Sequence, residues 1–203
     1  MDIEKKANNI KNKLIKIRRK IHTYPELGFQ EFKTQKLIIS ELKKLKIPFK
    51  KSAETGVVGL IRGKNKGKTI ALRADMDAVM VQEKISKPYK SKYVGISHSC
   101  GHDSHVTCVL GAAIILSEMR SKLCGNVKLL FQPCEEKSVA SHDAADMMVK
   151  EGALLSPKVD ACIALHVGHT LKTGKVKVRY GQMFVNIDRM EIVIKGVSGH
   201  AAE

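Results

Sequence analysis

The chain has no tryptophan, and aromatic residues make up only 4% of its 203 positions. That scarcity disfavours a nucleic-acid platform of the kind that stacks bases on aromatic rings. Long apolar runs are also missing. The longest, Val109–Leu116, falls well short of the roughly 20 residues a membrane helix needs, so no membrane partner is expected. The five cysteines, Cys100, Cys108, Cys124, Cys134 and Cys162, are odd in number and contain no Cys-x-x-Cys pair, which argues against a disulfide framework. Apart from Cys100 they read as small core residues. The opening MDIEKKANNIKNK has no apolar h-region, which argues against a secretory signal and for a cytoplasmic location.

Negative charge is in short supply. Against 36 Lys+Arg stand 20 Asp+Glu, a net charge of +16, and thirteen of the surplus positive charges fall in residues 1–70. Such a stretch can serve an anionic partner. No nucleic-acid motif accompanies it, however, and a lysine-rich solvated surface accounts for it. What is present, 43% hydrophobic and 28% charged residues, is a globular composition.

Ile3, Ala7, Ile10, Leu14, Ile17 and Ile21 recur at three- and four-residue steps, one face of an amphipathic helix. A second helix is expected over 29–46, before Pro48. Val57–Arg62 and Thr69–Arg73 read as strands joined by a glycine-flanked turn at 63–67. Helix 104–123, strand 127–131, helix 143–154 (capped by Asp143) and strand 161–167 come next. Strands alternating with helices predict the α/β class, a layered mixed sheet flanked by helices. Arg189–Lys195 alternates apolar and charged residues like a half-exposed strand. The expected division is 1–184 for the α/β domain and 185–203 for the start of a second, truncated one.

Polar clusters sit where predicted strands end or helices begin: Arg73-Ala-Asp75-Met-Asp77, His98-Ser-Cys100-Gly-His102-Asp103, Glu135-Glu136 and His166. In open α/β sheets the ligand crevice lies beyond the carboxyl ends of the strands. His98, Cys100 and His102 alternate, so in an extended segment they share a face. Thiolate, imidazole and carboxylate together suit zinc or a similar divalent ion, but a buried thiol beside exposed histidines fits the spacing as well. Adjacent glutamates alone are a solvated patch. After an apolar strand they can divide labour, one binding metal and one moving a proton. His166 alone reads as structural, and at a strand end as a ligand. His105 and His169 are weaker candidates: His105, one helical turn from His102, admits a role behind a ligand but reads more readily as exposed, and His22 reads as structural at a helix C-terminus.

Taken together, IRRKIHTYPELGFQEFKT, ALRADMDA, SHSCGHDSHV, LLFQPCEE, ALHVGH and IKGVSGHAA follow the order seen in the M20 metallopeptidases. The chain resembles most closely their aminoacylase-like amidohydrolase branch, which includes hippurate hydrolases, auxin-conjugate hydrolases and N-acetyldiaminopimelate deacetylases. The resemblance implies a zinc-exopeptidase-like catalytic domain followed by the first strand of an α+β lid. It implies two divalent ions, zinc or manganese, with Cys100, His102, Glu136 and His166 as ligands. Glu135 would be the general acid/base, His200 a lid residue that binds substrate, and Asp75 and Asp103 supports behind the ligands. The implied reaction is hydrolysis of the amide bond of a small-molecule N-acyl amino acid, with a homodimer in the full-length form. The family's distal C-terminal histidine has no match here, so the chain reads as the N-terminal portion. Two other readings stand beside this one: a truncated, inactive member or binding module, and a basic nucleic-acid-associated protein.

Overall fold

The apolar spacing of the first residues forms helix α1 (Ile3–Thr23), whose N-cap Asp2 accepts the Lys5 N–H. The structure, a computed structural model, describes residues 2–136, 143–183, 192, 193, 195–197 and 199. Beyond α1 lie helix α2 (Phe32–Lys44) and strands β1 (Phe49–Ser52), β2 (Gly56–Arg62) and β3 (Asn65–Asp75). Helix α3 (His102–Glu118), a short 3-10 turn, strand β4 (Cys124–Gln132), helix α4 (Ala144–Lys150) and strand β5 (Ala161–Ala164) complete the described elements.

The strands form a sheet ordered β1-β2-β4-β3-β5. The β1–β2 and β2–β4 pairs are antiparallel; β3–β4 and β3–β5 are parallel. Alternation splits each strand between two faces. Val57, Ile61, Ala74, Leu129 and Phe131 pack with Ile17, Ile38, Leu42, Val106 and Leu110 from α1, α2 and α3. Val58, Ala71 and Leu130 pack on the other face with Ala144 and Met148 of α4. The result is the expected layered α/β arrangement.

β2 and β3 are consecutive but do not pair, because β4 lies between them. The flanking glycines mark that approach. A Cβ on Gly63 would stand 2.4 Å from the Gly125 carbonyl oxygen, and one on Gly67 2.8 Å from Cys124 and Gly125 backbone atoms. The other corrections are local. β1 is an addition to the expected strands, and α3 begins two residues before Ser104. α4 ends at Lys150, where Gly152 adopts φ +77 and the chain continues in turns. Cys108, Cys124 and Cys162 are exposed and Cys134 is buried. Cys108 lies on the outward stripe of α3, Cys124 opens β4, and Cys162 lies on the exposed strand β5. The strand expected at 189–195 lies mostly outside the described residues.

The chain divides into two units, Met1–Val167 and Gly168–Glu203. In the second, the described residues are exposed and carry no helix or strand. Among the described residues no helix is long and apolar enough to cross a membrane. Within the first unit, Asp75 pairs with Gln132 and Arg73 with Ala164. The carboxyl ends of the three parallel strands therefore share one edge of the sheet.

Candidate metal centre

Four segments meet at that edge: 75–77 after β3, 100–102 at the start of α3, 135–136 after β4 and 166–167 after β5. Gly101 makes the second one possible. Its φ is +89, a conformation that costs an L-residue roughly 1–2 kcal/mol, and a Cβ there would lie 2.2 Å from Val167 Cγ2. The turn leaves Cys100 outside the helix and makes His102 its first residue, fully buried.

His102 Nδ1 lies 3.1 Å from Asp77 Oδ1. With Nδ1–H donating to Asp77, Nε2 presents its lone pair. That nitrogen is buried and has no hydrogen-bond partner, and it faces Glu136 Oε1 at 3.6 Å, Asp75 Oδ1 at 3.8 Å and Glu135 Oε2 at 4.0 Å. The second oxygen of Asp77 accepts the Glu136 N–H at 2.9 Å, so one carboxylate orients both residues. His166 Nδ1–H donates to the Val167 carbonyl at 2.8 Å, which directs Nε2 to Cys100 Sγ, 3.4 Å away. The loop carrying the glutamates is braced from below. Buried Glu31 accepts the Cys134 N–H at 2.8 Å and the Thr55 hydroxyl at 2.5 Å, and burial pushes its carboxyl up to about 7.

Two donor sets, Cys100/His102/His166 and His102/Glu135/Glu136, each bring three ligand atoms within 4.8 Å of one another. Thiolate and imidazole ligands of one tetrahedral zinc stand about 3.5 Å apart, and imidazole and carboxylate about 3.4 Å. The observed 3.4 and 3.6 Å fit those separations. A third set, Asp75/His102/His105, does not fit an ion, because both nitrogens of His105 are already bonded, to Asp75 and to the Val167 N–H.

The charge balance favours a cation. Burial, reinforced by Glu136, Glu135 and Asp75, pushes the Cys100 thiol up to about 12. Burial also raises Glu135, assisted by Asp75 and Glu136 against the opposing pull of His102 and Arg73. For His102, burial works against protonation, but the Asp77 hydrogen bond and the surrounding carboxylates outweigh it and raise its pKa. A divalent ion among these groups would invert the pattern, since a coordinating thiol loses its proton.

Other expected residues lie elsewhere. Asp103 turns to α1, accepting Arg18 Nε at 2.9 Å and meeting His22 Nδ1 at 2.7 Å. His98 does not join Cys100 and His102; it is buried with neither ring nitrogen bonded, and burial pulls its pKa down to about 4. His200 lies outside the described residues. His105, expected on the surface, is 3% exposed. It stands one turn beyond His102 on the buried face of a helix that begins earlier than expected. Asp77 stands out in the sequence only as part of its cluster, although it shares a strand-end face with Asp75.

The sequence model of the peptidase family M20/M25/M40 matches residues 71–201. The chain is 46% identical to IAA-amino acid hydrolase ILR1-like 2 of Arabidopsis thaliana, over 93% of this chain and 42% of that protein. It is 40% identical to N-acetyl-L-cysteine deacetylase of Bacillus subtilis, over 96% of this chain and 46% of the relative. A crystal structure of a dinuclear metal binding peptidase of the M20 family from Bacillus subtilis superposes with a TM-score of 0.74 at 37% identity, covering 81% of this chain and 45% of that one. The chain thus spans about half the length of the curated relatives it matches. The motif order, the sheet edge that gathers four of those motifs and the match across 71–201 agree: the chain belongs to the peptidase family M20/M25/M40.

Proposed function

We propose that the chain supplies the metal-binding part of a hydrolase that cleaves the amide bond of N-acyl amino acids. The observation that carries this reading is the buried, unpartnered Nε2 of His102 facing carboxylates. A buried polar atom left without a partner costs about 1–3 kcal/mol, and a divalent cation is the group this surrounding suits. Cys100, His102, Glu136 and His166 would hold the ions, zinc or manganese, two in the complete site. Bound divalent ions supply Lewis acidity and bring water toward ionisation near neutral pH.

The chain's own residues do the rest. Asp77 keeps the Nε2 of His102 open for ligation. Glu135, less enclosed than Glu136 (side chains 40% and 28% exposed), accepts a proton from the attacking water and returns it to the leaving amine. Its raised pKa suits a group that must both take and give a proton. Asp75 supports the ligand segments from behind, through His105, whereas Asp103, the other aspartate expected there, acts only by fastening the start of α3 to α1. His200 would meet the substrate carbonyl, and residues 185–203 would begin the lid of a domain division at 184, with a homodimer in the full-length form. The names of the deacetylase and the amino-acid-conjugate hydrolase among the relatives support the substrate class.

The test is metal analysis of the purified chain after exposure to Zn2+ or Mn2+, with Cys100→Ala and Glu136→Ala alongside. Bound metal in the wild type and its loss in both variants is expected; a wild type that binds none would overturn the reading. Assays against N-acetyl and N-benzoyl amino acids, with dipeptides in parallel, decide the substrate class.

A further inference from the structure

We infer that His105 is a positioning residue for His166: its imidazole, set in one tautomer by Asp75, clasps the backbone N–H of Val167, the residue whose carbonyl aims His166. This rests on the reading of His166 as a ligand.

β5 pairs only with β3 among the described strands, and its ladder ends at Ala164. Neither His166 nor Val167 is held by the sheet, and both are exposed. His105 supplies a hold on Val167. The Val167 N–H donates to its Nε2 at 3.0 Å, so Nε2 carries no proton and Nδ1 must. Nδ1–H then donates to Asp75 Oδ1 at 2.6 Å. Asp75 is itself anchored by Arg73 Nη1 at 2.6 Å, and Arg73 Nε reaches Gln132 at 2.9 Å. The path runs from β4 through β3 and α3 to the residue after His166.

Val167 also orients His166 directly, through the next peptide along: its carbonyl accepts the Nδ1–H of His166. The His105 and His166 rings also meet edge-on, with centroids 4.6 Å apart. The Val167 side chain fills the space a Cβ on Gly101 would need. Val167 therefore joins the two ligand-bearing segments, and His105 fixes Val167.

The experiment uses the full 203-residue chain in two arms. Nitrogen-15 NMR of the metal-free protein should find His105 as the Nδ1–H tautomer; an Nε2–H tautomer would overturn the clasp whether or not metal binds. In the second arm Co2+ is titrated. His105→Leu should weaken Co2+ binding about 10–100-fold. Its visible spectrum should shift as that of His166→Ala does, while the Cys100 thiolate-to-cobalt band is retained. His105→Gln, which restores an acceptor for the Val167 N–H, should recover most of the loss. Wild-type affinity and spectrum in His105→Leu would refute the inference. Should that variant not fold, the tautomer measurement decides. A wild type that takes up no Co2+ would defeat the metal reading instead, and the NMR arm would still judge the clasp.

Discussion

Two histidine–aspartate clusters flank the start of α3, and they differ in how many ring nitrogens are satisfied. On the α1 side, His22 is bonded at both: Nδ1 to Asp103 at 2.7 Å and Nε2 to Glu83 at 3.1 Å. Glu83 is tied further to the Ser91 N–H and Lys87. On the sheet-edge side, His102 is bonded at Nδ1 alone. Both rings are buried, and each is oriented by an aspartate. The closed cluster has nothing left to offer a ligand and acts as a fastening between α1 and α3. The open cluster keeps a lone pair unspent at a cost in stability, which is the mark of a binding position.

Substitutions should separate the two. The largest effect is expected at the open site. On the proposed function, Glu135→Gln should lower hydrolysis about 10²–10⁴-fold, with metal content and urea midpoint unchanged; loss of metal along with activity would make Glu135 a ligand instead. Next, Asp103→Ala in the closed cluster should cost about 3 kcal/mol, the low end for a broken buried pair because His22 can neutralise and Arg18 is partly solvated. Folded protein should still bind metal, and an unchanged urea midpoint would show that the fastening is idle. Third, Gly101→Ala should destabilise by more than the roughly 1–2 kcal/mol of its backbone conformation, since the new methyl meets Val167. Gly95→Ala, at φ +75 with nothing within 4 Å, should show the conformational cost alone. Equal losses at the two glycines would remove the case for Val167 as a junction.

The smallest effect is a pH dependence. The Asp103 hydrogen bond, partly opposed by burial and aided by Glu83, raises the pKa of His22. Its contribution is therefore full below its unfolded value of about 6.5 and is lost as pH rises through the folded value. Burial acts against ionisation of Asp103, but His22, His98 and Arg18 lower its pKa. That contribution is present above about 3.9 and is lost as pH falls through the folded value. The closed cluster thus stabilises most between these limits, and His22→Gln should flatten the decline in stability above about pH 6.5. An unaltered profile would mean that His22 stays neutral.

The sequence made the helices and parallel strands legible where periodicity was strong, as at α1 and β4. It also exposed the ligand-type residues, because strand ends and the helix start gather them. Pairing order was less visible: glycines that look like a hairpin turn serve the close passage of β4. Placing the start of α3 at Ser104 tipped His105 toward an exposed reading, although its one-turn step from His102, visible in the sequence, puts it on the same buried face. The Arg18–His22–Asp103 fastening and the Glu31 brace under Cys134 join segments far apart in the chain. Nothing in the local pattern announces them, since what they satisfy are hydrogen bonds created only by the fold.

The protonation state of Cys100 bears on how the protein behaves without metal. Thiolates, not thiols, react with alkylating agents and oxidants, and this sulfur is held as a thiol by burial and the carboxylates around it. Stripping the metal would therefore leave a chemically quiet cysteine rather than an inflamed one. Iodoacetamide at neutral pH should modify it more slowly in the native apoprotein than in the urea-unfolded chain. A survey that ranks cysteines by reactivity would pass over the one proposed to matter most.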